Sequence, residues 1–395
     1  MNIKNYMRAV MMVAIMLHIV PMTFVSCERV PPLHLHRDRH IDIVMPIINL
    51  DLDVYWDYYT NLEADWRDQW TYGWDSIDNK LFGELGYTPP TAFDIRRYYL
   101  AYNQWSAHTS VDNFHIKGNR LRTTYDFGYY DILAWNDIKT PDGVQSIIID
   151  EKSSLDSVVA YTNTSLAPAV NQAYAKAPAY LRAFYQPEEL FAGYERNIYV
   201  SDNLDDYDYY DEETNTYYKN LTMELYPLTY IYLTQVRLHN NNGRINGVDG
   251  EANLSGMGRS VTLNSGIAGK DAISVHYNIR FKRNCTIKST GEKVDVAGGR
   301  CLTFGIPCQN SSRVSRASDV MDEERHFIDV NFIFYNGKDS TFVFDVTDQV
   351  RKHYKGGVLT IDLDVDSIKI PSTSGGSGFN AQVEDYEYKE FEFEL

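Results

Sequence analysis

Apolar and polar residues alternate with a period of two along much of this chain, a pattern typical of half-buried β-strands. The clearest example is residues 50–57, where leucine, valine and tryptophan alternate with aspartate and tyrosine. Further runs in the first half lie at residues 91–100, 120–125, 144–149 and 157–161. At residues 167–184, alanine, tyrosine and leucine instead recur at helical spacing. The pattern predicts a β-rich first half with a minor helical insertion.

The second half of the chain continues the strand pattern, with turn residues between the runs. Turn sequences such as Asn241-Asn242-Gly243 and Gly356-Gly357 punctuate it. The runs lie at residues 230–238, 259–263, 273–281, 300–304, 327–335, 339–346 and 358–365. Many short strands with such turns predict β-sandwich or barrel domains, and the fold class is therefore all-β for most of the chain.

An acidic stretch at residues 202–218 marks the expected domain boundary. It is dense in aspartate, glutamate and tyrosine, and strand alternation resumes after it. A chain of this length exceeds what one hydrophobic core usually serves, so we expect an N-terminal domain at residues 41–210 and a C-terminal domain at residues 211–395. The stretch lacks the ordered ligand spacing and glycine of an EF-hand, which favours a solvated loop over a calcium site.

The first residues of the chain have the pattern of an export signal. Lys4 and Arg8 precede an apolar run at residues 9–20, and Ser26 then stands before Cys27. The run is shorter than a membrane span, so residues 1–26 are interpreted as a signal peptide. The small residue before Cys27 predicts a bacterial lipoprotein, in which Cys27 is lipidated and residues 27–40 form a tether. The alternative is an ordinary signal peptide with a coincidental cysteine.

Composition narrows the range of partners. With 37 basic and 54 acidic residues the net charge is −17, which argues against a nucleic-acid partner because phosphate binding needs a basic surface. Three cysteines remain after Cys27, and export makes a disulfide permissible. Cys285 and Cys301 are a plausible pair, with reduced, buried thiols as the alternative, and their spacing with Cys308 fits no zinc pattern.

The sequence contains no motif of a common enzyme class. A nucleophile elbow, a zinc-protease helix, a phosphate-binding loop and a dinucleotide fingerprint are all missing from it, so we expect no catalysis, no cofactor and no metal site. One aromatic group deserves a second interpretation. Trp66, Trp70 and Trp74 could stack sugars if they share an exposed platform, although packing in the core is the favoured role.

The end of the chain carries one more alternating run. After a serine- and glycine-rich stretch at residues 372–378, apolar side chains alternate with acids, with a one-residue change of phase that is typical of a bulge. These apolar positions are Tyr386, Tyr388, Phe391, Phe393 and Leu395. The segment is interpreted either as a strand that folds back onto its own sheet or as a donor strand for a neighbouring molecule.

Four strings in the sequence resemble one family. They are residues 45–57 (MPIINLDLDVYWD), 128–136 (GYYDILAWN), 303–307 (TFGIP) and 344–350 (FDVTDQV). With the lipoprotein-type cysteine, they resemble the fimbrillin-like lipoproteins of Bacteroides-type bacteria, and within that group the anchor-type subunits of major and minor fimbriae. The resemblance implies two transthyretin-like β-sandwich domains in tandem and a role in an adhesive pilus.

The resemblance also implies how the N-terminus is processed. Structural pilins of the group lose their lipid and a first strand when a protease cuts after a basic residue, whereas anchor subunits keep the lipid. The candidate cut sites here are Arg37 and Arg39, which lie in the tether before the first predicted strand. Cleavage there would remove no core strand, which favours retention of the lipid at Cys27.

These observations lead to one hypothesis and one alternative. The hypothesis is a non-enzymatic, lipid-anchored fimbrial subunit at the outer membrane, whose partners are other fimbrial subunits bound by β-strand addition. The alternative is a surface lipoprotein that binds glycans through exposed tryptophans. Burial of Trp66, Trp70 and Trp74 would favour the first, and their exposure on one platform the second.

Overall fold

The computed structural model describes residues 46–54, 66–101, 110–138, 146–150, 154–162, 182–307 and 325–371. These residues are mostly in β-strands, as predicted. The strands are β1 Ile47–Val54, β2 Ala92–Ala101, β3 Ser110–Lys117, β4 Arg120–Thr124, β5 Gly128–Asn136, β6 Ile147–Asp150, β7 Val159–Thr162, β8 Ala183–Tyr185, β9 Phe191–Val200, β10 Tyr209–Asp211, β11 Thr216–Pro227, β12 Tyr230–His239, β13 Ile245–Gly258, β14 Ser260–Thr262, β15 Ala272–Asn278, β16 Arg280–Thr286, β17 Lys293–Thr303, β18 Phe327–Phe334, β19 Asp339–Asp345 and β20 Gly357–Asp364. The α-helices are α1 Trp66–Gln69, α2 Ser76–Phe82 and α3 Thr347–Lys352.

The first sheet has eight strands and folds over on itself. Its order is β3-β2-β5-β9-β11-β1-β4, and β10 pairs with β11. The strands β9 and β11 meet only at Tyr226 with Ala192 and at Pro227 with Phe191. The sheet therefore divides into two layers at that point. Inward side chains of both layers form one apolar core, which includes Ile48, Leu50, Phe93, Ile95, Ile132, Met223 and Leu225.

Two further sheets face each other in the second half of the chain. One has four strands in the order β16-β17-β12-β20, and the other has five in the order β19-β18-β13-β15-β8. Their inward side chains form a single core that includes Tyr232, Val236, Cys301, Leu359, Leu254, Val275, Tyr277 and Phe332. Sheets packed face to face through alternating side chains are a β-sandwich, which confirms that part of the predicted fold class.

A small third layer connects the two halves. The strands β14, β7 and β6 form a three-stranded sheet, in which β6 and β7 come from the first half and β14 from the second. An apolar cluster beneath it contains Tyr98, Leu133 and Trp135 together with Val261 and Phe304. Residues on both sides of the predicted domain boundary thus pack in one cluster.

Residues 66–87, which precede β2, pack against the second half of the chain. We call these residues the strap. Trp66, Trp70 and Tyr72 of the strap cover Ile231 and Leu233 on the outer face of the four-stranded sheet. β12 is consequently covered on both faces, which explains why seven of its ten residues are buried.

Some predicted boundaries differ from the structure. The acidic stretch forms the hairpin of β10 and β11, and β11 belongs to the first sheet through Pro227, so a boundary at residue 210 would cut that sheet. The helix predicted at residues 167–184 falls mostly outside the described residues. Its described end is strand β8, because Ala183 and Phe184 pair in parallel with β15.

Candidate functional site

The first described strand lies inside a sheet, between β11 and the edge strand β4. β1 pairs in parallel with β11, from Ile47 with Tyr218 to Val54 with Leu225, and antiparallel with β4. Its inward side chains Ile48 and Leu50 are 0% and 1% exposed. Burying a side chain of this kind contributes about 1.5–3 kcal/mol. A segment at one end of the described chain therefore completes a sheet whose other strands come from far along the sequence.

The outer face of β1 is polar and paired. The guanidinium of Arg120 donates hydrogen bonds to both carboxylate oxygens of Asp51, and this contact lowers the pKa of Asp51. The side-chain amide of Asn49 donates to Oδ1 of Asn220 on β11 at 2.9 Å. Alternation along the strand thus gives one apolar face and one face of cross-strand polar contacts, as the sequence predicts.

The last strand of the described chain is also paired in parallel. β20 lies against β12 from Gly357 with Tyr232 to Asp364 with His239. Arg237 of β12 donates two hydrogen bonds to Asp362 of β20, with Nε to Oδ1 at 2.7 Å and Nη2 to Oδ2 at 2.6 Å. The two terminal strands thus share one arrangement, in which a parallel partner comes from the middle of the chain.

The free edge of β20 is covered by a side chain. Gln349 in α3 donates from Nε2 to the carbonyl of Thr360 at 2.9 Å and accepts from the Thr360 N–H at Oε1 at 2.8 Å. Its amide therefore makes the two hydrogen bonds that a neighbouring strand would make. Gln349 belongs to the string at residues 344–350, so the structure gives that string a role in protecting a sheet edge.

Two other sheet edges contrast in their protection. β16 is an edge strand with a register shift between Lys282 and Cys285, and Asn284 there has a φ of 55°. Bulges and lysines on an edge oppose the addition of another strand. β19 is the last strand of the five-stranded sheet, and its register with β18 is unbroken from Asp339 to Asp345. Within the described part of the chain, β19 is therefore a regular edge whose outer side pairs with no strand.

A buried carboxylate fastens the strap. Asp78 is fully buried and accepts hydrogen bonds at Oδ1 from the Tyr72 hydroxyl at 2.7 Å and from Nη1 of Arg280 at 2.8 Å. The Lys282 ammonium contacts Oδ2 and lies 3.9 Å from the centroid of the Tyr72 ring. Although burial alone would raise the pKa of Asp78, the hydrogen bonds from Lys282 and Tyr72 hold it below its ordinary value.

The tryptophan platform of the glycan-binding alternative is not formed, and the favoured role of these residues in packing is the one observed at Trp66 and Trp70. Trp66 and Trp70 are each 5% exposed and pack in the cluster between the strap and the four-stranded sheet, and Trp74 is half-buried beside them. Their rings are used for packing because two outward residues of β12, Ile231 and Leu233, need an apolar cover. The structure therefore contradicts the exposure that the glycan-binding alternative requires at Trp66 and Trp70.

The two described cysteines are free thiols. Cys285 is half-buried on β16, and Cys301 is fully buried on β17. Cys285 pairs with Val294 of β17, so Cys301 lies seven residues further along that strand. At about 3.3 Å per residue, this separation far exceeds the reach of a disulfide. The predicted pairing of Cys285 with Cys301 is wrong, and the alternative of reduced thiols holds in the structure.

An exposed group of tyrosines was not predicted from the sequence. Tyr209 of β10 stacks on Tyr218 of β11 with ring centroids 4.6 Å apart, and Tyr210 contacts Tyr217 at the same distance. Tyr209 and Tyr210 remain 48% and 43% exposed. The signal in the sequence was a pair of adjacent tyrosines on each side of a short acidic turn, because facing positions in a hairpin bring such rings together.

Several predicted residues lie outside the described part of the chain. These are Cys27 and the rest of the tether, Cys308, and the candidate donor positions Tyr386, Tyr388, Phe391, Phe393 and Leu395. Among the described helices, none has the length and apolar character needed to cross a membrane. The described residues also contain no group of three or more histidine, cysteine or acidic side chains placed to hold a metal ion.

The known proteins to which this chain is similar are solved structures. No protein-family model and no curated protein matches the chain. A candidate adhesin from Bacteroides ovatus is 12% identical with a TM-score of 0.44, and the match covers 84% of this chain and 97% of that one. A candidate adhesin from Bacteroides thetaiotaomicron is 11% identical with a TM-score of 0.45, over 82% and 93%. The fimbrial anchor protein Mfa2 from Porphyromonas gingivalis is 11% identical with a TM-score of 0.38, over 80% and 90%.

The four sequence strings resemble anchor-type fimbrial subunits, and one of these three structures is of a fimbrial anchor protein. Identities of 12% or less and TM-scores below 0.5 do not transfer a function. The function of this chain is accordingly argued from its own residues.

Proposed function

We propose that this protein is a lipid-anchored, non-enzymatic subunit at or near the base of a fimbria on the cell surface. The observation that carries the proposal is the position of β1. A strand that follows directly after the tether lies between β11 and the edge strand β4 of the first sheet, with Ile48, Leu50 and Leu52 in the core. Among the described residues, the position between β11 and β4 is therefore occupied by the chain's own strand and is not a vacant groove for a strand from a preceding subunit.

A filled groove suits the membrane end of a fibre. In assembly by strand addition, each subunit receives a strand from one neighbour and supplies a strand or an edge to the other. A subunit that keeps its own β1 has no need of the first contact. The proposal therefore gives this protein one fibre contact, and its other end is held by the membrane.

The membrane contact is assigned to Cys27. Acyl chains on this residue would each contribute about 0.8 kcal/mol per buried CH₂, and more than one chain makes such anchoring stable. The candidate cut sites Arg37 and Arg39 precede β1 in the sequence. A cut at either site would release the lipid without removing any residue of the first core.

The fibre contact is assigned to the C-terminal segment and to the regular edge of β19. Residues 383–395 supply alternating aromatic side chains as a donor strand, with the apolar positions Tyr386, Tyr388, Phe391, Phe393 and Leu395. β19 offers seven residues of unbroken register as an acceptor edge. Main-chain hydrogen bonds would give the affinity, and alternate side chains the specificity.

The anchoring part is tested by replacing Cys27 with serine. We expect Cys27→Ser to leave the membrane fraction and to lose metabolic labelling with palmitate. Cys285→Ser is the matched control, because Cys285 is a half-buried thiol far along the chain and its loss should change neither result. Palmitate labelling that persists in Cys27→Ser would refute the lipid anchor.

The fibre contact is tested by deletion of residues 383–395. If this segment is a donor strand, the truncated protein stays folded and lipidated but no longer captures pilins from outer-membrane extracts. If it instead folds back onto its own sheet, the deletion lowers thermal stability because an apolar sheet edge is exposed. Unchanged stability together with unchanged capture would defeat both interpretations.

A further inference from the structure

The two parallel strand pairs have a mechanical consequence. β1, the first described strand, lies parallel to β11, and β20, the last, lies parallel to β12. β11 ends at Pro227 and β12 begins at Tyr230, so only Leu228 and Thr229 separate the two inner strands. A path through the molecule from its N-terminal to its C-terminal end therefore crosses β1 to β11, follows the chain into β12, and crosses to β20.

Tension applied at the two ends acts on each pair along the strands. A pull at the N-terminus draws β1 toward its own N-terminal end. The chain that leaves β11 toward β12 draws β11 toward its C-terminal end. The strands are parallel, so these forces are opposed along the strand axis. The evenly spaced hydrogen bonds of a parallel pair then share the force, and β1 has to slide past β11 before any of them is free.

The second pair is placed in the same way. The chain from β11 draws β12 toward its N-terminal end, and a pull at the C-terminus draws β20 toward its C-terminal end. Eight residue pairs join these strands, from Tyr232 with Gly357 to His239 with Asp364. Both crossings along the path are therefore loaded in shear, and neither can open one hydrogen bond at a time from an end.

Side chains reinforce the second crossing. Arg237 holds Asp362 across the pair, and Nε2 of His239 lies 2.8 Å from the same carboxylate. Beyond β20, Nη2 of Arg244 donates to the carbonyl of Ile368 at 2.7 Å, and Ile368 is buried in the core. A pull at the C-terminus meets these contacts before it reaches the far end of β20.

We propose that the fold carries tension between its two ends, with β1–β11 and β12–β20 acting as two shear-loaded clamps in series. The biological use of this property rests on the proposed function, in which the N-terminal end is held by lipid and the C-terminal end joins a fibre. The mechanical property itself depends only on the topology and can be measured on the purified chain.

The test is single-molecule pulling of the full mature chain in two geometries. In the first, handles are attached at the N-terminus and the C-terminus, so both clamps are sheared. In the second, the N-terminal handle is moved to Asn242, which is exposed in the turn after β12. The ends of β12 and β20 near Asn242 lie side by side, since His239 pairs with Asp364, so this pull peels the pair apart.

At the same pulling speed, we expect the protein pulled end to end to unfold at a force about twofold or more above the force needed when it is pulled from Asn242. Sheared hydrogen bonds share the load, whereas peeled hydrogen bonds break one at a time, so unfolding under force is slower in the first geometry. Equal forces would overturn the proposal. A second comparison uses Arg237→Ala, which removes the contact with Asp362 on the path, and Arg325→Ala, which removes a contact with Asp345 off the path. The end-to-end force should fall in the first variant and stay unchanged in the second, and the reverse result would overturn the proposal.

The outcome is independent of the anchoring experiment. If the unfolding force is high end to end but Cys27→Ser stays in the membrane fraction, the lipid anchor is refuted and the clamp is supported. If the unfolding force is low end to end and Cys27→Ser leaves the membrane fraction, the clamp is refuted and the lipid anchor is supported.

Discussion

Asp78 is a buried residue that attaches the strap to the four-stranded sheet. Its carboxylate has no access to solvent and is surrounded by Tyr72, Arg280 and Lys282. A buried ion pair is expensive to break, because removal of one partner leaves the other charge without compensation in a poorly solvated place. Asp78 thus joins the strap to β16, beside the ion pairs of Asp75 with Arg280 and Lys282 and the hydrogen bonds of Gln235 to the strap backbone.

We expect Asp78→Asn to lower the free energy of unfolding by about 2 kcal/mol, because the amide keeps the shape but removes the charge, and Arg280 and Lys282 then keep one carboxylate partner, Asp75, instead of two. Urea denaturation measures this effect as a shift of the midpoint. Asp68→Asn is the matched control within the strap, since Asp68 and its partner Lys288 are both largely exposed and such a pair contributes less than about 1 kcal/mol. An unchanged midpoint in Asp78→Asn would show that the carboxylate does not hold the strap.

His326 makes stability depend on pH. Its side chain is fully buried, and this burial lowers the pKa of His326 from 6.5 to about 4. The unfolded chain binds a proton near pH 6.5 while the folded protein does not, so the free energy of unfolding falls as the pH drops from 6.5 toward 4. The total loss is about 3 kcal/mol, at 1.36 kcal/mol per pKa unit.

His326→Gln isolates this contribution. The stability of wild type minus that of the variant, from urea midpoints between about pH 7.5 and pH 4.5, should decrease as the pH falls. Because His239 is present in both proteins, its opposite contribution to the pH dependence of stability cancels in this difference. Burial alone would lower the pKa of His239, but contacts with Asp362 and Glu292 raise it, so its share of stability is lost as pH rises. A pH-independent difference would contradict the assignment to His326.

At the scale of elements, α3 closes a sheet edge with one glutamine. We expect Gln349→Ala to lose two hydrogen bonds to Thr360, at about 1 kcal/mol each, and to leave the edge of β20 open to other strands. Thermal unfolding should shift downward, and light scattering should report association. Lys352→Ala in the same helix is the control, because Lys352 is exposed. A variant as stable and as monodisperse as wild type would show that the edge needs no cover.

The sequence predicts strands best where one face of the strand is exposed to solvent. The runs at residues 91–100, 120–125 and 327–335 coincide with β2, β4 and β18 to within about one residue. β5 was not among the predicted runs, because Gly128–Asn136 is buried on both faces and alternation is lost. The helices α1 and α2 have four and seven residues, which is too short for a helical period to show.

The candidate site was harder to predict than the strands. Alternation at residues 50–57 indicated a strand, but nothing in the sequence indicates that β1 pairs with β11, more than 150 residues away. Burial of Trp66 and Trp70 depends on the outward side chains Ile231 and Leu233, which a local pattern cannot connect to the strap. Long-range pairing and the cover on an outer sheet face are properties of the tertiary structure, and they override local propensity.

At the scale of the whole molecule, the two halves are interdependent. We expect a fragment of residues 228–395 to be poorly folded, because it lacks the strap that covers Ile231, Leu233 and Val358 and lacks β8 of the five-stranded sheet. The free fragment should bind a hydrophobic dye and unfold without cooperativity. A fragment that also carries residues 66–90 through a flexible linker should recover part of the cooperative transition. A monomeric, cooperative fragment without the strap would contradict this interdependence.

The position of β1 also sets an order of events during synthesis. The chain is made from its N-terminus, so β1 emerges long before β4 and longer still before β11, its parallel partner. Until β11 arrives, the apolar face of Ile48, Leu50 and Leu52 lacks the strand beside which it is buried. Exposed apolar strands in incomplete chains are prone to aggregation, so this segment needs shielding while the chain is incomplete. β1 is thus synthesised before the rest of the first core and folded late, and a chaperone that binds extended apolar segments would find its binding site in the newly made β1.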